Sequence, residues 1–248
     1  PRLPEDHSLN VMAGWNIEHK RARNTRMGRD GFIVDGKPNY SLMNGIDYVL
    51  EDANSYDWGF VGIFYRASYA YKGKYLAELS GRYDGSSKFP SNERWGFFPS
   101  ASVGWRMSEE NFMKDISWIN NIKWRFSIGK AGNGNVSPYK YMELLGFNKA
   151  GVIVDGSQRT YTSAPSSVLP ANLTWETSST INLGLDVNLL NNRLSFVGDI
   201  YQKETTDIFV TGAELPAVTG YSAPYGNNAD MRTRGFELEL GVDIIKTP

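Results

Sequence analysis

The chain has 248 residues, with 26 Lys and Arg against 27 Asp and Glu, a balance that gives no electrostatic basis for binding nucleic acid. It has no cysteine, which excludes disulfides, thiolate metal sites and cysteine nucleophiles. Aromatics at 13% and 25 glycines favour a β protein with tight turns, and the mean hydropathy of −0.41 does not argue against a membrane, because alternating strands average out.

In chain order, residues 1–6 carry no apolar signal core, so any export signal is expected outside this stretch. Residues 8–18 alternate, with Leu9, Val11, Ala13, Trp15 and Ile17 opposite Asn10, Asn16 and Glu18. Residues 60–71 set Val61, Ile63, Tyr65, Ala67, Tyr69 and Tyr71 against Arg66 and Ser68. The next run, 74–89, is the most informative. Tyr75, Ala77, Leu79, Gly81 and Tyr83 form an uncharged face with a tyrosine at each end, while Glu78, Arg82 and Asp84 lie behind it. Tyr75 to Tyr83 spans roughly 26 Å at ~3.3 Å per residue. Tilted by ~40°, that is roughly 20 Å of height, close to the ~25 Å apolar band of a transmembrane barrel.

Residues 96–107 place Phe97, Ala101, Val103 and Trp105 opposite Ser100, Ser102 and Arg106, with Pro99 weakening the ladder. Residues 122–130, 180–189, 194–203 and 235–244 alternate in the same way, the last with Phe236, Leu238, Leu240 and Val242 opposite Glu237 and Glu239. The expectation is all-β: an antiparallel transmembrane β-barrel segment of about eight strands.

The connections alternate in length. Tight turns at 72–74 and 190–193, and a longer connection at 108–121, alternate with polar connections near 20–59, 85–95, 131–175 and 204–234. Short periplasmic turns and long extracellular loops are the habit of outer-membrane barrels. Ser108 followed by Glu109 and Glu110 reads as the cap and first turn of a helix.

Two other readings stay open on the residues alone. One is a secreted carbohydrate-binding β-sandwich with the apolar faces as its core. The other is a glycoside hydrolase domain using acids such as Glu237 and Glu239, about 7 Å apart on one face of a strand. His7 and His19 lack partners at metal spacing, and the stretch 225–230 lacks the spaced ligands of a calcium loop. No cofactor, metal site or catalytic residue is expected. The candidate substrate-binding residues are loop aromatics able to stack on sugar rings or peptide side chains: Trp58, Tyr139, Tyr141, Tyr161, Trp175, Tyr221 and Tyr225.

One ordered series of motifs resembles the SusC/RagA-like TonB-dependent outer-membrane transporters of Bacteroidetes. It runs from Lys74, Tyr75 and Leu76 through Arg82, Tyr83, Asp84, Gly85, Ser86, Ser87, Lys88 and Phe89 to Arg94, Trp95, Gly96, Phe97, Phe98, Pro99 and Ser100. Gly104, Trp105 and Arg106, Lys123, Trp124 and Arg125, Gly129 to Asn133, and Leu173 to Thr177 follow. Leu190 to Leu194 and Arg234 to Leu238 close it.

The resemblance implies a plugged barrel of about 22 strands. The chain supplies about eight of them, with the plug and the C-terminal strands outside it. It also implies active import of a bulky nutrient, a glycan before a peptide, in the outer membrane. The implied partners are TonB, ExbB and ExbD, reached through N-terminal regions outside this stretch, a SusD-like surface lipoprotein, and outer-membrane lipid.

Overall fold

Alternation with period two sends successive side chains to opposite faces of a strand, so each run above can be half buried only as part of a sheet. In the computed structural model, which describes residues 6–30, 47–143, 145–154, 156–163, 168–170 and 173–244, all eight runs are strands. They are β1 (His7–Asp30), β2 (Asp47–Tyr71), β3 (Tyr75–Ser86), β4 (Trp95–Arg106), β5 (Ile119–Asn133), β8 (Glu176–Leu189), β9 (Leu194–Thr211) and β10 (Tyr225–Val242). Between β5 and β8 lies a separate hairpin of β6 (Gly146–Val154) and β7 (Ser157–Ser163). The eight long strands form one antiparallel sheet in the order β1-β2-β3-β4-β5-β8-β9-β10. Each pairs with its neighbour in that order, and β1 and β10 are the free edges among the described residues.

The register shows how uniformly the two faces are kept apart. One cross-strand row reads Leu9, Tyr69, Ala77, Val103, Phe126, Leu183, Ile200 and Phe236, apolar in every strand. The adjacent row reads Asn10, Ser68, Glu78, Ser102, Ser127, Asn182, Tyr201 and Gly235. A slip of one residue in any strand would exchange these rows there. No described element covers the apolar face: Trp15 is 76% exposed and Phe236 74%. A sandwich would bury these side chains against a second sheet, so the sandwich reading is set aside in favour of a lipid-facing barrel wall.

The short turns are built by residues in left-handed backbone. Lys72 and Gly73 both have positive φ, and the Lys74 N–H donates to the Tyr71 carbonyl at 2.9 Å, a tight turn within the three-residue connection between Tyr71 and its partner Tyr75. Leu190, Asn191 and Asn192 take the same region in the turn from β8 to β9.

Two expectations about the connections change. The strands run well beyond the expected 20–59 and 204–234 boundaries, since β1 reaches Asp30, β2 begins at Asp47, β9 ends at Thr211 and β10 begins at Tyr225. Past the apolar band no lipid meets the outer face, so the hydrogen-bonded strand continues without the lipid-to-lumen alternation. In 107–118 there is no capped α-helix but two 3₁₀ turns, Met107–Glu109 and Asn111–Met113, neither with a side-chain cap.

Glu110 is instead drawn to the strand ends. Its carboxylate accepts from the Tyr75 hydroxyl at 2.6 Å, the Trp105 indole N–H at 3.2 Å and Lys74 Nζ at 3.1 Å. These donors, the Tyr75 hydroxyl first, hold the Glu110 carboxyl down at about 2. A depressed carboxyl pKa stabilises the fold above the ordinary value of 4.5, and that contribution disappears as pH falls toward 2. Thermal melts of the wild type and Glu110→Gln should therefore differ at neutral pH and converge through this window. A difference that stays constant across it would assign the effect to packing.

Candidate functional site

The polar face is organised by ion pairs that run across strands. Arg125 of β5 reaches Asp186 of β8 at 2.8 Å and Asp199 of β9 at 3.0 Å, and Asn182 donates to Asp199 at 3.0 Å. Gly184 makes room for this knot, because a Cβ there would lie 2.5 Å from Asp199 Oδ1. Arg66 of β2 pairs with Glu78 of β3 at 2.8 Å, while Arg82 pairs within β3 with Asp84 at 3.0 Å. Gly62 opens the same kind of space beside Asn16, Arg82 and Asp84. Half-buried charges tied into such networks give a hydrated, ordered wall suited to a lumen.

At the end of the sheet carrying the long connections, this face ends in a small apolar core. Phe89 is fully buried, with Phe98, Val136, Leu173 and Trp175 around it and Phe60, Tyr141 and Phe209 against it. These residues come from the 87–94 connection, from both sides of the 134–175 connection and from the strands themselves. The connections are thus seated on the wall. The Trp175 indole donates to the Arg94 carbonyl at 3.1 Å, and Asn227 exchanges hydrogen bonds with both the N–H and the carbonyl of Thr174, each at 2.9 Å.

The seven candidate aromatics separate on this frame. Trp175 is 6% exposed, packed on Phe89, Phe98 and Phe60, so its faces are spent in the core. Tyr141 lies against the same cluster. Tyr139 has a left-handed backbone at φ 65°, held by its hydroxyl, which accepts from the Asp57 N–H at 2.9 Å and donates to the Asp57 carbonyl at 3.1 Å. Trp58 stands one residue from Asp57 on the polar face, with Lys88 Nζ 4.5 Å from its ring centroid. Tyr225 opens β10 beneath Lys140 Nζ at 5.8 Å, Tyr221 is exposed in the 212–224 connection, and Tyr161 is exposed on β7. The structure therefore brings Tyr141 and Trp175 to one buried cluster and ties Tyr139 to Asp57, the residue before Trp58.

Lys20 and Lys88 escape a search restricted to aromatics. The only signal was that Lys88 follows the Asp84-Gly85-Ser86-Ser87 run of the motif series.

The other chemical candidates are occupied structurally. His7 Nδ1 is 2.7 Å from the Tyr69 hydroxyl. In the 225–230 stretch, Asn227 serves Thr174, and Asp230 accepts from the Asp207 N–H at 3.0 Å. Glu237 lies in register with Asp199, on the same charged wall as Glu239.

An antiparallel sheet with one lipid-facing apolar side, one hydrated charged side and loops folded over one end is the wall of an outer-membrane β-barrel. The family model described as TonB dependent receptor-like, beta-barrel, matches residues 4–244, and the chain belongs to that family. TonB-dependent receptor P3 of Formosa agariphila is 32% identical over 234 residues, 94% of this chain and 23% of that protein. TonB-dependent receptor SusC of Bacteroides thetaiotaomicron is 31% identical over 75% of this chain and 19% of its own length. A solved structure of the RagAB peptide transporter superposes with a TM-score of 0.81 at 25% identity, over 98% of this chain and 26% of that one. The chain spans about a quarter of the length of the curated relatives it matches.

Proposed function

We propose that these strands form part of the barrel of a TonB-dependent importer that carries a bulky nutrient, an oligosaccharide, across the outer membrane. The observation that carries this reading is the continuous apolar row and the adjacent polar row across all eight strands, within a family of TonB-dependent receptors. The strands' part is to bind and to line the path, with no bond made or broken. Energy would come from TonB, ExbB and ExbD through regions outside this stretch, and a SusD-like lipoprotein would cap the loop end. The glycan preference rests on the half-buried Trp58 and the exposed Tyr221 and Tyr225 near the seated loops, with the exposed Tyr161 on the hairpin.

A peptide is the second reading. It is favoured by the likeness to the RagAB peptide transporter. A strain lacking the full-length transporter should lose uptake of fluorescent oligosaccharides while keeping uptake of peptides of similar mass, and an uncoupler should abolish the difference. Loss of peptide uptake alone would replace the glycan by a peptide.

The sidedness of the reading is testable too. The 212–224 connection would face outside, and the 107–118 turn the periplasm. In a full-length protein with any cysteines outside these 248 residues replaced, Val218→Cys, at a position 94% exposed, should react in intact cells with an impermeant maleimide. Asp115→Cys should react only after the outer membrane is permeabilised. The reverse pattern would invert the topology.

A further inference from the structure

Two lysines stand together at the loop end of the polar face. Lys20 on β1 and Trp58 on β2 are cross-strand partners, so their side chains rise from the same face. Phe60, two residues on, packs into the buried cluster and fixes that face as the polar, inward one. Lys88 comes from a different element, the 87–94 connection, and its position is built. The Gly59 N–H donates to Ser87 Oγ at 2.8 Å, and the Ser87 N–H donates back to the Gly59 carbonyl at 2.9 Å. The next residue, Phe89, is fully buried. Pinned on one side and buried on the other, Lys88 lays its ammonium 4.5 Å from the Trp58 ring centroid.

Among the described residues neither lysine makes an ion pair, unlike Arg66, Arg82 and Arg125 of the same wall. Glu18, two residues before Lys20 on the same face, leaves the group of three with a net positive charge. Burial, and then Lys20, hold the Lys88 ammonium below the usual lysine range, with Glu18 opposing them. Two like charges fixed close together and partly removed from water are unfavourable unless an anion comes to them. An aromatic ring beside such a pair can stack on the C–H face of a pyranose while the ammonium groups meet its anionic substituent.

We propose that Lys20, Lys88 and Trp58 form a subsite at the mouth of the lumen for an acidic sugar residue, a uronate or a sulfated pyranose. The subsite rests on the import reading above and narrows its substrate to anionic glycans. Carboxylate and sulfate present the same recognisable chemistry here, and the two probes below tell them apart. Lys88 supplies the fixed charge and Lys20 the second, more exposed one. Trp58 orients the ring.

The test is isothermal titration calorimetry of the full-length transporter in detergent with four probes: hexagalacturonate, a sulfated κ-carrageenan hexasaccharide that carries no carboxylate, neutral maltohexaose and hexaglutamate. At least one acidic hexasaccharide should bind. Lys88→Gln and Lys20→Gln should each weaken it by roughly tenfold, as expected for losing a charge-assisted contact, and Trp58→Leu should weaken it comparably. A Ser91→Ala control in the same exposed connection should not change it. Added salt should weaken the wild type more than the double lysine variant. Unfolding is excluded as a cause where each variant keeps its heat-modifiable gel shift.

Failure of both acidic hexasaccharides to bind, or binding that both lysine variants leave unchanged, overturns the subsite. Binding of maltohexaose alone would do so while leaving glycan import standing. Binding of hexaglutamate alone would remove both readings.

Discussion

Leu79→Arg in the full-length barrel is expected to lower its stability by about 2–4 kcal/mol, while Ser80→Asn one residue on changes it little. Leu79 lies four residues from Tyr75 and four from Tyr83, the two tyrosines that bound the apolar face of β3. Tyr83 stacks on Trp95 with centroids 5.0 Å apart, and Tyr75 is held by Glu110, so both ends of the band are marked by fixed aromatics.

Leu79 is 51% exposed, yet its neighbours in register are Ala67 and Ala101, with Ile128 beyond. No carboxylate stands in that row to meet a guanidinium. Four residues at ~3.3 Å each put either interface roughly 13 Å away along the strand, too far for a side chain to reach comfortably. Ser80 points the other way, between Arg66 and Ser100 on the hydrated wall, where an amide finds partners. Urea titration of both variants in liposomes, read by heat modifiability, measures the difference. Equal losses would mean that Leu79 does not face lipid.

The eight strands were legible wherever one face meets lipid and the other water, because that contrast imposes period two on the sequence. It held from Leu9 to Ile17 in β1 and from Phe236 to Val242 in β10. It faded at His19, Lys20 and Arg21, where the strand continues past the lipid and only the backbone ladder with Gly59, Trp58 and Asp57 records it. The β6–β7 hairpin lies inside the long connection expected at 131–175 and was not read as strand.

Turn chemistry was legible at Lys72-Gly73-Lys74, since glycine and left-handed backbone are local properties. The role of Glu110 was not, since the same acid beside Ser108 suits a helix start. Only the approach of Tyr75 and Trp105 from other strands decides where its charge goes. The candidate aromatics show the limit most clearly. Trp175 and Trp58 both flank long connections in sequence, and no local pattern distinguishes the tryptophan sealed against Phe89 from the one left beside Lys88. That difference lies in which loops fold back on the wall, a long-range property of the sheet.

The 248-residue chain expressed alone is expected not to form a heat-modifiable monomer in detergent, whereas a protein carrying these strands within a closed barrel is. The physical reason is the pair of free edges. β1 has a ladder only toward β2, and β10 only toward β9. A membrane-crossing strand has about 9–11 residues in the hydrocarbon. On a free edge every second one turns an N–H and a carbonyl away from its partner. Each edge therefore leaves on the order of ten unmatched polar groups in lipid, at several kcal/mol each. The sum is tens of kcal/mol, beyond the roughly 5–15 kcal/mol by which folded proteins are stable. In water the apolar face fails for the other reason, since Trp15, Ile17, Ile200 and Phe236 have nothing to cover them. Aggregated or unfolded material is the expected product under both conditions. A soluble, cooperatively unfolding monomer with strand-rich circular dichroism would mean that the apolar face finds cover within the chain, and the lipid-facing assignment would fall with it.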